Sequence, residues 1–307
     1  MAPPGQNFAP SAPALPARVK SLAPDAFPLF QDPYGFIRGN LDFLPQRAMN
    51  KLQHDSHHQT QGTGSTTPES ALVTAANYIR TGIGAVCPGG SSRRERFLRE
   101  VALLAGWAEC SGLSLTFTAL QPLVPVSSGA EHEVFYDASL HKAFKLTKPG
   151  GYGHSLEGEG ETASPLEYLE RQRLQNELFG DFLELVGVLT GDHMPQILVS
   201  QPWITVSEID PTPSPEEIDR YFEELGFERA QGVEVPAYYH QESGVVVLDA
   251  HAQNILRDEN GRLVPIDLVM GYPGEWVLQW LGLNETQKIV DPFSVSENEQ
   301  AARPRIG

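Results

Sequence analysis

The sequence predicts an α+β protein in which an antiparallel sheet is followed by a smaller part that mixes helices with hairpins. Three observations predict this class. Apolar residues alternate with polar ones over much of residues 113–202, as in half-buried strands. Helical spacing, with capping residues before it, is confined to separate segments. Strands and helices do not alternate regularly, as they would in a parallel βαβ sheet.

The amino-acid composition excludes several classes of function. The 307 residues, of which 40% are hydrophobic, suffice for two lobes with a substantial core. Asp and Glu (39) outnumber Lys and Arg (22), and the formal charge of -17 repels a phosphate backbone, so we expect no nucleic-acid partner. Two cysteines are too few for a disulfide framework. No apolar stretch approaches the roughly 20 residues of a membrane span and no secretory signal is visible, so we expect a cytoplasmic protein without membrane contact.

Residues 1–66 are predicted to be a largely disordered arm and linker. Seven of the first 30 residues are proline, which excludes a long helix or a central strand. The polar tract that follows is rich in Gly and Thr and has no apolar period. His54, His57 and His58 lie there, but no cysteine or carboxylate pair stands at ligand spacing beside them, so we interpret the tract as solvated and not as a metal site.

Residues 67–111 are predicted to form a helical extension. Thr67 is a suitable N-cap, and Pro68 a suitable first residue, for a helix that continues through Arg80. A second helix follows, with apolar residues three or four positions apart: Phe97, Val101, Leu104 and Trp107.

Residues 112–202 are predicted to form the first lobe, which contains the sheet. From Leu113 to Thr147 a period of two predicts an antiparallel strand meander. One helix follows the meander, from its cap Ser164 to its stop at Gly180. Two further strands are predicted, at residues 183–189 and 195–204.

Residues 203–290 are predicted to form a smaller second lobe, and residues 291–307 a tail. A capped helix ends near Gly226 and is followed by short strands. Trp276 and Trp280 share a short helix that we expect to close the core of this lobe.

The segment from Gly244 to Gly271 carries the pattern that points to chemistry. Asn260-Gly261 is a strong signal for a two-residue hairpin turn. Counting pairs outward from that turn places Asn254 opposite Asp267, and cross-strand partners lie about 5 Å apart. One amide oxygen and one carboxylate would thus converge, which suits a hard cation such as Mg²⁺ that also binds nucleotide phosphates.

Asp249 follows an apolar strand at Val245–Leu248, where a loop would aim its carboxylate at the same cavity. An ordinary surface hairpin explains Asn260-Gly261. It gives no reason, however, for the apolar flanks to end in Asp249, Asn254 and Asp267 together.

These residues resemble the protein-kinase-like superfamily. The run Asp249-Ala250-His251-Ala252-Gln253-Asn254 is similar to the catalytic loop of aminoglycoside-phosphotransferase-like members, and Asp267 stands where the metal-binding Asp of the Asp-Phe-Gly motif belongs. Upstream resemblances are to a degenerate phosphate loop at Ser127–His132, to the lysine strand at Ala143-Phe144-Lys145, and to the hinge at Ser200-Gln201-Pro202-Trp203. Over residues 108–280 the chain is most similar to the serine/threonine/tyrosine kinase-like domain of phage and mobile-element polyvalent proteins.

The resemblance implies a two-lobed protein-kinase-like fold with an antiparallel-sheet N-lobe, one N-lobe helix and a short, reduced C-lobe. It implies ATP and Mg²⁺ as cofactors, and transfer of the γ-phosphate to a hydroxyl group of a protein Ser, Thr or Tyr, or of a small molecule. Asp249 would then orient and deprotonate the acceptor, Asn254 and Asp267 would hold Mg²⁺, and Lys145 would bind the α and β phosphates.

A buried Lys145 needs an acidic partner, which the resemblance places on the helix of the first lobe. Glu170 is favoured because it lies mid-helix, with Glu167 and Glu177 as alternatives. Two other lysines are alternatives to Lys145 itself: Lys142 and Lys148.

The resemblance places five further residues at the site. Ser127, Ser128 and Gly129 would bind phosphates through a nest of N–H groups, with an ordinary tight turn as the alternative. Gln201 would lie at the hinge beside the nucleotide, and His251 would support the catalytic loop.

Departures from the family pattern leave a second interpretation open. The predicted phosphate loop lacks the glycine-rich spacing, and Leu268-Val269 replaces Phe-Gly after Asp267. A catalytically silent pseudokinase that binds nucleotide and acts as an interaction module is the alternative. The presence of Asp249 favours an enzyme, because a nucleotide binder does not need it.

Overall fold

The structure is a computed structural model that describes residues 68–86, 91–191 and 193–283. The predicted arm and linker, the three histidines within it, the Thr67 cap and the tail at 291–307 lie outside these residues. Within them, no helix is both long and apolar enough to cross a membrane. The predicted α+β class is confirmed, since an antiparallel sheet dominates the first lobe and helices stand in separate segments.

Two helices precede the sheet, α1 (Pro68–Val86) and α2 (Arg93–Cys110). Helix α2 begins with a capping box, in which Ser92 and Glu95 each accept a hydrogen bond from the other's backbone N–H. Side chains of both helices are buried in one cluster with side chains of the first lobe: Leu72, Ile79, Leu104, Trp107, Leu169 and Val188. The two helices therefore contribute to the core of that lobe.

The first lobe contains a six-stranded sheet. Its strands are β1 (Ser114–Leu115), β2 (Val124–Ser128), β3 (His132–Asp137), β4 (Lys142–Thr147), β5 (Glu184–Leu189) and β6 (Gln196–Pro202). They lie in the order β1-β5-β6-β4-β3-β2, and each neighbouring pair is antiparallel except β1 with β5.

The predicted meander is correct for β2, β3 and β4 and wrong at its start. Strand β1 runs parallel to β5, and a 3-10 turn at Phe117–Leu120 separates it from β2. Gly187 allows this contact, because a Cβ there would collide with the Leu113 carbonyl and the Leu115 side chain. A two-residue pairing between distant segments leaves no periodic signal in the sequence.

Helix α3 (Pro165–Phe179) lies on one face of the sheet. It begins with a capping box between Ser164 and Glu167 and ends at Gly180, whose φ of 67° is the left-handed conformation that glycine adopts easily. The other face is covered by a separate cluster that includes Leu123, Phe144 and Leu198. Lys145 alternates with Phe144 along β4 and therefore faces the α3 side.

The second lobe is smaller. Its elements are α4 (Pro215–Glu224), β7 (Phe227–Arg229), β8 (Tyr238–His240), β9 (Val246–Leu248), β10 (Ile255–Arg257), β11 (Leu263–Pro265), β12 (Val269–Gly271) and α5 (Glu275–Trp280). An antiparallel sheet has the order β12-β9-β8-β7, and β10 with β11 forms a hairpin. The core of the lobe is apolar and aromatic, as in the parallel ring pair Phe222 and Tyr238, 4.2 Å apart.

Helix α5 closes a small core with Val277, which is fully buried. Trp276 packs against that cluster, and its ring is parallel to the ring of Trp280 at 6.0 Å. Trp280 itself remains 37% exposed. The expectation that both tryptophans close the core is therefore wrong for Trp280.

The segment at residues 148–164, between β4 and α3, connects the two lobes directly. Leu156 is buried among second-lobe residues, and its carbonyl accepts a hydrogen bond from the N–H of Gly274 (2.9 Å). Tyr152, fully buried in the first lobe, donates from its hydroxyl to the carbonyl of Pro195 (2.7 Å). One short segment is thus anchored in both cores.

Candidate active site

The β10–β11 hairpin carries the predicted metal ligands, but its turn has three residues and not two. The observed pairs are Ile255 with Pro265, Leu256 with Val264 and Arg257 with Leu263. Gly261, at φ 80°, donates its N–H to the carbonyl of Asp258 (3.0 Å). The Asp258 carboxylate is buried and accepts from the N–H groups of Asn260 and Arg262, which stabilises the wider turn.

The predicted pairing of Asn254 with Asp267 is therefore wrong by one residue. Asn254 lies opposite Ile266, whose N–H donates to the Asn254 carbonyl (2.8 Å). Asp267 comes one position later and turns towards the first lobe, where its Oδ1 lies 3.7 Å from Nδ1 of His132.

Asp249 occupies a strained backbone position directly after β9. Its φ of 59° lies in the left-handed region, which residues other than glycine rarely adopt. Nδ2 of Asn254 donates to both the carbonyl (2.9 Å) and the carboxylate (3.0 Å) of Asp249, and Nε2 of His251 lies 3.1 Å from its other oxygen. The carboxylate is held in one orientation while 46% of the side chain stays exposed.

The electrostatic surroundings make Asp249 a better base than an ordinary aspartate. Partial burial raises the pKa of Asp249, and the negative charge of Asp267 adds to the rise. The nearby His251 and the hydrogen bond from Asn254 act in the opposite direction without cancelling it. A constrained, accessible carboxylate with a raised pKa is suited to accept a proton.

Lys145 projects from β4 towards the end of the hairpin, where its ammonium donates to the carbonyl of Ile266. Burial lowers the pKa of Lys145, and the charges of Asp267 and Glu131 oppose that shift. For Asp267, burial disfavours the charged form, but the neighbouring basic groups, Lys145 foremost, together outweigh this, so the pKa lies below its usual value. Asp267 is thus an ionised carboxylate beside a cation, with 52% of its side chain exposed.

The predicted partner of Lys145 is wrong. Glu170 forms ion pairs with Arg80 and Arg173 on the outer side of α3. The alternatives are engaged elsewhere: Glu167 with Ser164, Ser155 and Arg93, and Glu177 with Arg173. The physical reason lies in α3, whose buried face carries polar residues as well as apolar ones, among them Arg171, Gln172 and Gln175.

The alternative lysines also have partners of their own. Lys142 pairs with Glu184 on β5, two strands away in the sheet. Lys148 donates to Ser128 (2.8 Å) and to Glu133 (3.0 Å). Of these three lysines, Lys145 is the one whose ammonium reaches Ile266 next to Asp267.

Arg171 replaces the expected glutamate at the buried centre of α3. Its guanidinium forms an ion pair with Glu131, and both side chains are largely buried, with 5% and 14% exposed. The guanidinium also lies over the Tyr168 ring, 5.1 Å from its centroid. Gly153 packs against this pair, since a Cβ there would collide with both charged groups. The helix therefore holds the start of β3 through Glu131, and does not hold Lys145.

The turn between β2 and β3 is the predicted phosphate loop. Gly129 donates its N–H to the carbonyl of His132 (2.8 Å), so this amide closes the turn and does not point out to a ligand. The prediction of a phosphate-binding amide is therefore wrong for Gly129. Ser127 and Ser128 are exposed on the edge strand β2, and Ser128 accepts from Lys148.

Gln201 lies on β6 opposite Ala143, on the face of the sheet that carries Lys145. It is 4% exposed, and its Oε1 has no hydrogen-bond partner among the described residues. Val134, opposite Lys145 on β3, adds an apolar neighbour to the same face. Such a wall, apolar with one unpaired acceptor, suits the edge of a flat heterocycle.

The structure thus brings Lys145 and Asp267 together and places Asn254 and His251 around Asp249. Glu131 and His132, at the end of the predicted loop, and Arg171 belong to the same cluster, and the sequence analysis gave none of them a role in the site. An arginine within a helix is typical of a solvated face, and no spacing rule marks a buried one. In the sequence, Glu131, His132 and Arg171 differ from other residues only in lying close to predicted site residues, Gly129 and Glu170.

The chain is similar to a known protein family. The model of a family described as serine/threonine/tyrosine kinase found in polyvalent proteins matches residues 98–272. No curated protein and no solved structure matches the chain. The matched range contains every site residue described above.

Proposed function

Because the chain belongs to the family of serine/threonine/tyrosine kinases found in polyvalent proteins, we propose that it transfers the γ-phosphate of ATP to a hydroxyl group, with Mg²⁺ as its metal. The observation that carries the proposal is the constrained loop at Asp249. Asp249 combines a left-handed backbone, a carboxylate fixed by Asn254 and His251, and access to solvent, and a general base needs this fixed and accessible carboxylate.

In this proposal Asp249 orients the acceptor hydroxyl and accepts its proton on a carboxylate oxygen. The raised pKa of Asp249 supports the role, because a general base works best when its pKa approaches the working pH. The hydrogen bonds from Asn254 keep the carboxylate in place, so the hydroxyl meets it without reorganisation.

Lys145 would bind phosphate oxygens of the nucleotide. Its ammonium lies next to Asp267, so the phosphates and the metal-binding carboxylate would be held side by side. The Arg171–Glu131 pair keeps the start of β3 fixed over this position. Gln201 and Val134 would contact the base of the nucleotide.

The donor atoms at the site fit Mg²⁺, which prefers oxygen ligands. Asp267 offers an ionised carboxylate, and the amide of Asn254 is oriented by Asp249, which occupies its NH₂ group and leaves its oxygen for another partner. When bound, Mg²⁺ would neutralise the charge of the phosphates.

A nucleotide-binding module without transfer is the second candidate. Two features favour it: the Gly129 amide is used within its own turn, and Lys145 has no helix glutamate beside it. Both features weaken the grip on the phosphates without removing the proposed base. The arrangement around Asp249 therefore leaves transfer as the better-supported function.

The proposal is tested by transfer of label from γ-labelled ATP to the protein itself, to casein and to small alcohols. We expect transfer by the wild type and a loss of about 10²- to 10⁴-fold in Asp249→Asn, with ATP binding retained. Incorporation from α-labelled ATP instead would show nucleotidyl transfer. Binding of ATP with no transfer by the wild type would favour the second candidate and overturn the first.

A further inference from the structure

Among the described residues, two carboxylates and one histidine converge at the junction of the lobes. Mg²⁺ prefers oxygen ligands, so a Mg²⁺ site would not need the histidine. Glu131, His132 and Asp267 each offer one ligand atom, and these atoms lie within 4.8 Å of one another. Glu131 and His132 precede and begin β3, whereas Asp267 follows the β10–β11 hairpin. The cluster therefore joins two elements that the sequence separates by more than 130 residues.

His132 is the unusual member of this cluster, which we name the junction cluster. It is 5% exposed, and its Nδ1 has no hydrogen-bond partner among the described residues. A neutral imidazole carries one proton on one ring nitrogen and offers the lone pair of the other nitrogen to a hydrogen-bond donor or a metal.

The carboxylate of Glu131 favours the tautomer with that proton on Nε2. Nε2 lies 3.2 Å from a carboxylate oxygen of Glu131, which can only accept, and 3.1 Å from the hydroxyl of Tyr168. Nδ1 then presents a lone pair towards the ionised Asp267, 3.7 Å away. Two electron-rich atoms facing each other across this gap, without a proton between them, are arranged to share a cation.

The distance also suits a shared ion. Ligand atoms about 2.1 Å from one metal lie about 3.4 Å apart at tetrahedral angles and about 3.0 Å apart at octahedral angles, so closing the gap takes a shift of about 0.3 to 0.7 Å. Lys145 and Arg171 border the junction cluster and lower its affinity for any cation. An imidazole nitrogen offsets part of this loss for transition-metal ions, which bind nitrogen more strongly than Mg²⁺ does.

We propose that Glu131, His132 and Asp267 form a binding site for a divalent first-row transition-metal ion such as Mn²⁺, with Nδ1 of His132 as the nitrogen ligand. Asp267 belongs both to this site and to the site of the proposed kinase function. In every other respect the metal-site proposal is independent of the kinase function. It follows that a transition metal, and not Mg²⁺ alone, occupies the Asp267 carboxylate.

The test measures Mn²⁺ binding to the full chain without nucleotide, by electron spin resonance. The wild type should show spin-echo modulation from a directly bound ¹⁴N nucleus, which changes to the ¹⁵N pattern when the histidines are ¹⁵N-labelled. His132→Gln should abolish the modulation and weaken Mn²⁺ binding by about tenfold or more, and Glu131→Gln should weaken it similarly.

The matched control replaces the eight histidines outside the junction cluster and should keep the modulation: His54, His57, His58, His141, His154, His193, His240 and His251, each changed to Gln. This variant also decides the result if His132→Gln does not fold. Bound Mn²⁺ without nitrogen modulation in the wild type, no Mn²⁺ binding at all, or loss of the signal in the control would each overturn the proposal. Phosphate transfer with Mg²⁺ is measured separately, so failure of the metal site and failure of the kinase function are distinguishable.

Discussion

Removing one partner of the Arg171–Glu131 ion pair should destabilise the protein far more than removing a surface pair on the same helix. The two side chains are 5% and 14% exposed, so either charge left alone is surrounded by protein. Breaking such a pair typically costs about 3 to 5 kcal/mol. We expect Arg171→Gln and Glu131→Gln to lower the free energy of unfolding by about this amount, with Glu131→Gln at the lower end because Asp267 remains near Arg171.

The double variant Arg171→Gln/Glu131→Gln measures the interaction energy between the two charges. With both charges gone, no unpaired ion remains, so the double variant should lose about 2 to 3 kcal/mol less than the sum of the single variants. The control is Glu177→Gln, which removes a partner of Arg173 whose side chain is 61% exposed and should change stability by at most about 1 kcal/mol.

The assay is urea unfolding at pH 7.5, followed by circular dichroism, in buffer with a metal chelator so that bound ions do not contribute. Single variants within 1 kcal/mol of the wild type, or strictly additive losses in the double variant, would refute the reasoning that α3 holds the start of β3 through a buried charge pair.

Two further predictions concern titration and backbone conformation. Burial raises the pKa of Asp181 from 3.8 to about 6. The folded protein therefore binds this proton more tightly than the unfolded chain does, and the resulting stabilisation is fully present below pH 3.8 and is lost as the pH rises through about 6. Asp181→Asn lacks this titration, so its free energy of unfolding should rise relative to that of the wild type between pH 4.5 and pH 7.5. Urea unfolding at both pH values measures this difference, and a difference that does not change with pH would contradict the assignment. Gly261→Ala should lower the free energy of unfolding by about 1 to 2 kcal/mol, because the φ of 80° at this position is unfavourable for alanine. Gly106→Ala should instead raise the free energy of unfolding by about 0.5 to 1 kcal/mol, because Gly106 lies within α2 and a Cβ there meets no atom within 4 Å. Equal effects of the two glycine substitutions would show that backbone conformation does not decide them.

Helix boundaries were predictable from the sequence because their signals are local. Ser164 with Glu167, followed by Pro165 and ended by Gly180, marks α3 without reference to the rest of the chain. The meander of β2 to β4 was equally local, since each strand pairs with the next. The parallel contact of β1 with β5 was missed because it joins segments about 70 residues apart and covers two residue pairs.

At the candidate site, motif spacing placed Asp249, Asn254 and Asp267 in one region, but it did not give their geometry. The turn at Gly261 accommodates three residues because the Asp258 carboxylate binds the backbone across it, and a count from Asn260-Gly261 alone misses this. The choice of Glu170 failed for a related reason. Helical periodicity assumes an apolar buried face, and α3 buries Arg171 because Glu131, distant in sequence, neutralises it.

The measurement that tests the central claim most directly is thermal unfolding with ATP and Mg²⁺, added separately and together, to the wild type and to Asp267→Ala. A ligand that binds only the folded state stabilises it by about 2.7 kcal/mol at a hundredfold excess over its dissociation constant. For a domain of this size that corresponds to a rise in the unfolding midpoint of about 5 to 10 °C. We predict this rise for the wild type with both ligands together, and its loss in Asp267→Ala. No rise for the wild type under any of these conditions would contradict the claim that Lys145 and Asp267 form a nucleotide site.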